Sequence, residues 1–268
     1  MHKNLSIAAV IFDWAGTTVD YGSHAPSAVF AQVFAQHGVK LTAAQINGPM
    51  GLEKKAHIRS LLSLETAKEQ WQAQYAREAT EEDINTLYEE FEDTLFKVVA
   101  DRAAPLAGVV ETVSALRAQG IKIGSTTGYN SKMMEQVLPT AKAHGYCPDC
   151  VVTPDVVGGV GRPAPYMLFE CMRRLNVFPP RAVLKVGDTI ADVLEGKHAG
   201  ALSVGLLQGS NILGFSSEEE YRALPADELK ASKQAAAARY KEAGADFVLD
   251  SITQLPSLVA AINGMRSY

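Results

Sequence analysis

The 268-residue sequence lacks any apolar run close to the ~20 residues that cross a bilayer. It also lacks the clustered lysines and arginines that neutralise a phosphate backbone. Membrane insertion and nucleic-acid binding are therefore not expected, and the formal net charge of -5 agrees with the second exclusion. Cysteine is scarce, at three residues, which suits a reducing compartment rather than a disulfide-stapled fold. Cys147 and Cys150 form a CPDC pair, but with no second pair and no nearby histidine it makes half a zinc site at best. It reads as a turn leading into a strand. The stretch MHKNLSIAAVIFDWAG carries one lysine and one histidine ahead of an apolar run that ends on Asp13 without a small-residue cleavage motif. A secretory leader is not expected, and a cytoplasmic setting is. Internal repeats and low-complexity segments are absent as well.

What is present is an ordinary globular composition, 47% hydrophobic and 21% charged, arranged in an alternating pattern. Short β-rich apolar runs at 6–12, 121–127, 150–153, 182–188, 202–207 and 245–250 are separated by longer helical stretches. Such alternation predicts an α/β fold, a Rossmann-like parallel-sheet core joined by crossover helices. One interval breaks the pattern. From Tyr21 to about Ala104 only helical periodicity is found, so a helical cap domain over 21–104 is expected to be inserted after the first strand. Residues 1–20 and 105–268 would then form the core, with Pro105 marking the return. Acids in 78–96 fall opposite Ile84, Leu87, Tyr88, Phe91 and Leu95, which describes a solvated helix face rather than a cation site. The apolar side of VFAQVFAQHG, 29–38, could serve either a dimer or the monomer's own interior.

Ligands of open α/β sheets bind beyond the carboxyl ends of the strands. The topology therefore gathers Asp13, then Thr126, Thr127 and Gly128, then Gly161 and Arg162, then Asp188 and Asp192. Carboxylates converging at one sheet edge repel unless a cation lies between them, and Mg²⁺ accepts such oxygen ligands while keeping positions for phosphate and water. Asp13 and Asp188 are its candidate direct ligands, and Asp192, one helical turn after Asp188, would act through water. Taken singly, Asp188 reads equally as a helix N-cap and Asp192 as a first-turn acid. Thr127 can donate its hydroxyl and Gly128 its amide to a phosphoryl oxygen, and Arg162 can neutralise the same group. An aspartate aimed at phosphorus in such a cradle is a nucleophile, which makes Asp13 the catalytic candidate.

These four strand ends resemble the haloacid dehalogenase superfamily: FD continuing to GTTVD, a Ser/Thr strand end, a basic residue before proline, and GDTxxD. Within it, FDWAGTTVDYGSHAP, PMGLEKKAH, IGSTTGYN, GRPAPYM and KVGDTIADVLEG are similar to the phosphonoacetaldehyde hydrolases, or phosphonatases, along essentially the whole chain. The resemblance implies a Rossmann-like core with a helical cap, Mg²⁺ dependence, a homodimer formed through the cap, and cleavage of the carbon–phosphorus bond of a small phosphonate substrate to give acetaldehyde and phosphate. It also bears on Ala15. Phosphatases of the superfamily usually carry DxD, the second aspartate protonating an alkoxide leaving group; here that side chain is a methyl. A phosphonate offers no bridging oxygen to protonate, and its cleavage needs an electron sink for a carbanion instead.

By the same resemblance Lys54 is the Schiff-base lysine that supplies the sink, and Ala15 contributes only its backbone carbonyl to Mg²⁺. His57, three residues after Lys54, would move protons during imine formation, and Met50 would wall the aldehyde end. Spacing alone does not separate Lys54 from the adjacent Lys55. Two rivals stay open at this point: a phosphate-ester phosphatase or phosphomutase of the same superfamily, and a binding protein that has kept the fold without the chemistry.

Overall fold

The computed structural model describes residues 6–265. The proposed core boundaries at 1 and 268 therefore extend into residues 1–5 and 266–268, which lie outside the described residues. Six strands, β1 (Ala9–Phe12), β2 (Lys122–Thr126), β3 (Cys150–Val152), β4 (Val183–Gly187), β5 (Leu202–Leu206) and β6 (Phe247–Leu249), form one all-parallel sheet in the order β3-β2-β1-β4-β5-β6. That is the order of the doubly wound Rossmann sheet, whose winding reverses between β1 and β4. Each apolar run seen in the sequence becomes a strand, shortened because its outermost residues already turn toward the flanking loops. β1 and β4 are buried along their whole length, as parallel strands covered on both faces must be.

Between β1 and Pro105 the described chain contains helices and no strand: α1 (His24–Gln36), α2 (Ala43–Asn47), α3 (Lys54–Leu62), α4 (Glu65–Tyr75) and α5 (Glu81–Val98). α5 begins later than the acidic run suggests, because Thr80 and Asp83 make a reciprocal capping box that sets the start at Glu81. Val29, Phe30, Val33 and Phe34 of α1 are buried within the same chain, with Phe30 stacked on Phe91 of α5 at 4.1 Å. The apolar side of α1 is thus consumed inside the monomer. Where the insertion leaves and rejoins the sheet the two segments touch: Leu106 N–H donates to the Thr18 carbonyl at 2.9 Å, and Val19 bridges Pro105.

The remaining helices are α6 (Val109–Ala118), α7 (Ser131–Ala143), α8 (Tyr166–Leu175), α9 (Ile190–Ala199), α10 (Glu218–Ala223), α11 (Ala226–Glu242) and α12 (Leu255–Met265), of which α6, α8, α9 and α11 pack on strands of the sheet. α6 is followed by Gly120 at φ 79°, a left-handed residue that stops the helix. Among the described residues no helix is long and apolar enough to cross a membrane. Cys147 is exposed, and Cys150 at the head of β3 contacts the Sγ of Cys171 on α8 at 3.3 Å.

Candidate active site

Parallel register determines what meets at the sheet edge. Phe12 lies level with Ser125 of β2 and Val186 of β4, so Asp13, Thr126 and Gly187 emerge side by side, with Asp188 one residue further on. One carboxylate oxygen from each of Asp13, Asp188 and Asp192 lies within 4.8 Å of the others, and all three residues are buried. Asp188 accepts from Thr17 Oγ1 at 2.8 Å and from the Asn211 backbone N–H at 2.8 Å. Burial, followed by repulsion from Asp13 and Asp192, pushes the Asp188 carboxyl well above the usual range. Asp13 is pushed up mainly by burial, against the pull of Arg162. An all-oxygen donor set whose members resist ionising together fits a hard divalent cation. Ala15 lines the cavity beside these groups, and its carbonyl accepts no backbone hydrogen bond among the described residues.

Asp192 differs from its partners. Its Oδ2 is held by the backbone and hydroxyl of Thr189 at 3.2 and 2.6 Å, and its Oδ1 faces Arg162 Nη1 and Lys185 Nζ, each at 2.9 Å. With both oxygens engaged it suits an outer position on a cation better than a direct one. Thr189, not Asp188, is the N-cap of α9, and Asp192 completes the capping box, so its helix-start reading holds alongside the site reading.

The structure places Arg162 deeper than a surface cradle would. Its Nη2 meets Asp13 Oδ1 at 2.7 Å and Thr126 Oγ1 at 2.9 Å, its Nη1 faces Asp192, and its Nε meets Glu195 Oε2 at 3.1 Å. The guanidinium is the hub of a buried ion network. Two members of that network, Lys185 and Glu195, were not singled out from the sequence. The signal was there: a lysine within the otherwise apolar strand VLKVG and a glutamate on the inward side of a helix are conspicuous once burial is known, but periodicity alone does not mark them.

A cavity of about 20 Å³ joins these groups to the helical insertion, and its lining includes Asp13, Ala15, Met50, Lys54, Thr127, Gly128 and Arg162. Seven of the ten sequence candidates therefore meet in one small space with room for about one water molecule. His57 does not line it. Its Nε2–H donates to the Ile46 carbonyl at 2.8 Å, and the carbonyl's inability to donate leaves Nδ1 as the bare lone pair, buried and unpartnered. Burial and the nearby Lys54 hold the imidazole well below its ordinary pKa.

Lys54 opens α3, where Glu53 caps the helix by accepting from the N–H groups of Lys55 and Ala56 at 3.0 Å. Only 4% exposed, Lys54 has no ion pair among the described residues; its Nζ lies 5.7 Å from the Phe30 ring centre and 5.3 Å from that of Tyr129. Burial pushes its pKa down to about 8, against an opposing pull from Asp13. Lys55 is distinguished at once: its Nζ donates to Asn85 at 2.9 Å on α5 and it does not line the cavity. Tyr129 and Ser23 also line the cavity and were not picked out from the sequence, Tyr129 with its hydroxyl buried and unpartnered.

Three glycines let the insertion approach. A Cβ on Gly128 would stand 2.8 Å from the Leu52 carbonyl, one on Gly161 would stand 2.8 Å from Glu53 Cβ, and one on Gly51 would collide with Thr189. The segment that presents Lys54 thus touches the loops following β2, β3 and β4 together.

Residues 7–200 match the model of the haloacid dehalogenase-like hydrolases. The chain is 48% identical to the phosphonoacetaldehyde hydrolase of Parabacteroides distasonis over 96% of its own length and 97% of that protein's. It is 44% identical to the enzyme of the same name from Bacillus cytotoxicus over the same shares of the two chains. The crystal structure of a phosphonoacetaldehyde hydrolase like protein from Oleispira antarctica superimposes with a TM-score of 0.94 at 37% identity, covering 97% of this chain and 94% of that one. The chain is a haloacid dehalogenase-like hydrolase and belongs to the phosphonoacetaldehyde hydrolase family.

Proposed function

We propose that this protein hydrolyses the carbon–phosphorus bond of phosphonoacetaldehyde to acetaldehyde and inorganic phosphate, through a Schiff base on Lys54 and an aspartyl phosphate on Asp13. The observation that carries this reading is the pairing, in one cavity, of an unpaired buried lysine with an aspartate whose neighbour two residues on is alanine. Residues 21–104 act as a cap over a core of 1–20 and 105–268, and the small cavity described above belongs to the seated position. The substrate is larger than one water molecule, so entry requires the cap to lift.

Neutral Lys54 adds to the aldehyde and, with loss of water, gives an imine that is protonated at nitrogen. His57, neutral with its Nδ1 lone pair free, is the base that takes up protons during that condensation. Asp13 attacks phosphorus; the electron pair of the breaking carbon–phosphorus bond moves onto the iminium, giving an enamine on Lys54. Protonation at carbon and hydrolysis release acetaldehyde and restore the amine. A second water cleaves the aspartyl phosphate, so one water is consumed overall. Thr127 and Gly128 supply donors to the phosphoryl oxygens, Arg162 holds Asp13 and offsets charge beside it, and Met50 covers the aldehyde end.

The residues fit Mg²⁺, with Asp13, Asp188 and the Ala15 carbonyl as direct ligands and Asp192 through water; bound there, the ion would offset phosphoryl charge during attack. A phosphate-ester phosphatase is the less favoured reading, because position 15 has no acid for an alkoxide and Lys54 would be buried without a task.

The deciding experiment is borohydride trapping with phosphonoacetaldehyde and Mg²⁺, followed by peptide mass mapping. A reduced two-carbon adduct confined to Lys54, absent from Lys54→Met, is expected. No adduct, or scattered labelling of exposed lysines, would remove the Schiff base and bring the ester reading forward.

A further inference from the structure

Lys185 and Glu195 form a second layer behind the carboxylates, and neither lines the cavity. Lys185 Nζ lies 2.9 Å from Asp192 Oδ1 and 3.2 Å from Glu195 Oε2, and donates to Thr126 Oγ1 at 2.9 Å. Glu195 Oε2 also accepts from Thr126 Oγ1 at 2.9 Å and from Arg162 Nε, while its Oε1 is buried without a partner. Both side chains are fully buried. A buried ionic pair is costly and is not expected as a stability device alone.

The charges suggest its use. Asp13, Asp188, Asp192 and Glu195 are four buried carboxylates, and Arg162 and Lys185 are two buried cations; ion pairs link all of them except Asp188, which lies within 4.8 Å of Asp13 and Asp192. Within this network, to which Lys54 contributes no ion pair, two negative charges are left over, the complement of one divalent ion.

We propose that Lys185 and Glu195 are positioning residues that set the charge of this cluster, so that it takes a divalent cation while leaving Arg162 anchored. Lys185 holds Asp192 Oδ1 and keeps that carboxylate back from direct coordination; Glu195 offsets the cation thereby introduced and fixes the guanidinium through Nε. The inference rests on the divalent-metal reading above and adds to it two residues that touch neither metal nor substrate.

The test is calorimetric titration of Mg²⁺ alone into the metal-stripped full chain, for the wild type, Glu195→Gln, Lys185→Met and the double variant. Glu195→Gln keeps an acceptor for Arg162 and removes one negative charge, so Mg²⁺ affinity should fall at least about tenfold. Lys185→Met removes a positive charge and should tighten Mg²⁺ binding several-fold. The double variant restores the balance and should return to within about threefold of wild type, a reversal that loosened packing would not give. Single variants that both weaken binding, with a double weaker still, would overturn the proposal, as would a Glu195→Gln indistinguishable from wild type. If Glu195→Gln fails to fold, Lys185→Met decides alone, since unchanged or weakened binding there contradicts the charge count. Turnover of phosphonoacetaldehyde by the wild type is measured separately; its absence would strike the proposed reaction and leave the binding results standing, whereas a wild type that binds no Mg²⁺ would remove the metal reading.

Discussion

Lys54 shows at the scale of one residue how reactivity opposes stability. Its pKa falls from 10.5 in an unfolded chain to about 8 in the fold because burial disfavours the ammonium. Between those two values the unfolded state binds the extra proton, so stability rises with pH across that window and is lowest below about pH 8. The cost at neutral pH is of the order of 3 kcal/mol by linkage. Lys54→Met should therefore raise the melting temperature by several degrees at pH 7, with the gain shrinking toward pH 10, while abolishing turnover; an unchanged or lowered melting temperature at pH 7 would contradict the unpaired, buried amine. In the proposed mechanism the same lysine must be neutral to attack, so kcat/KM of the wild type should climb through about pH 8 as the proton leaves. A flat profile between pH 7 and 9 would place the reactive amine elsewhere.

At the scale of elements, the start of α3 matters more than its length. Glu53 caps it, Lys54 is its first residue, and the turn before it is pressed against Gly128 and Gly161. Gly161→Ala would push a methyl into Glu53 and displace the lysine without opening the sheet. We expect a loss in kcat/KM on the order of a hundredfold, the scale of a 1 Å misplacement, with a melting temperature close to wild type. Wild-type kinetics from that variant would show that the contact is not needed for turnover. This element also marks where the sequence stops being legible. The six strands and the strand-end motifs could be read because parallel strands are apolar runs and their ends carry polar punctuation. The network of Lys185 and Glu195 could not, since whether a charged residue on a strand or helix is solvated or buried depends on what packs over it. Tyr129 and the choice of Lys54 over Lys55 likewise depend on which face of α3 meets the sheet, something a lysine pair does not reveal by spacing.

At the scale of the whole molecule, the proposed reaction needs more room than a cavity of about 20 Å³ gives, so we expect the insertion and the sheet to separate and reseat in each cycle. Amides over 50–57 should exchange hydrogen faster in the free protein than those around Leu87 and Phe91 inside α5, and should slow when Mg²⁺ and inorganic phosphate are added. Exchange over 50–57 that ignores those additions would separate entry from movement of the insertion. The apolar side of α1 was ambiguous in sequence for a related reason: periodicity reports that a face is covered, and only the packing of α1 on α5 reports by what.

The seclusion of Lys54 has a further consequence. An amine that sheds its proton near neutrality is a target for every small carbonyl in its surroundings, and a lysine so activated on an open surface would accumulate adventitious adducts. Here the nitrogen lies between the rings of Phe30 and Tyr129, and Met50 and the Gly128 loop wall the same small space. If Lys54 acts as proposed, the seclusion that dries the site for catalysis would therefore also protect the nucleophile from chemical wear, giving the resting protein a longer working life than the amine's reactivity alone would allow.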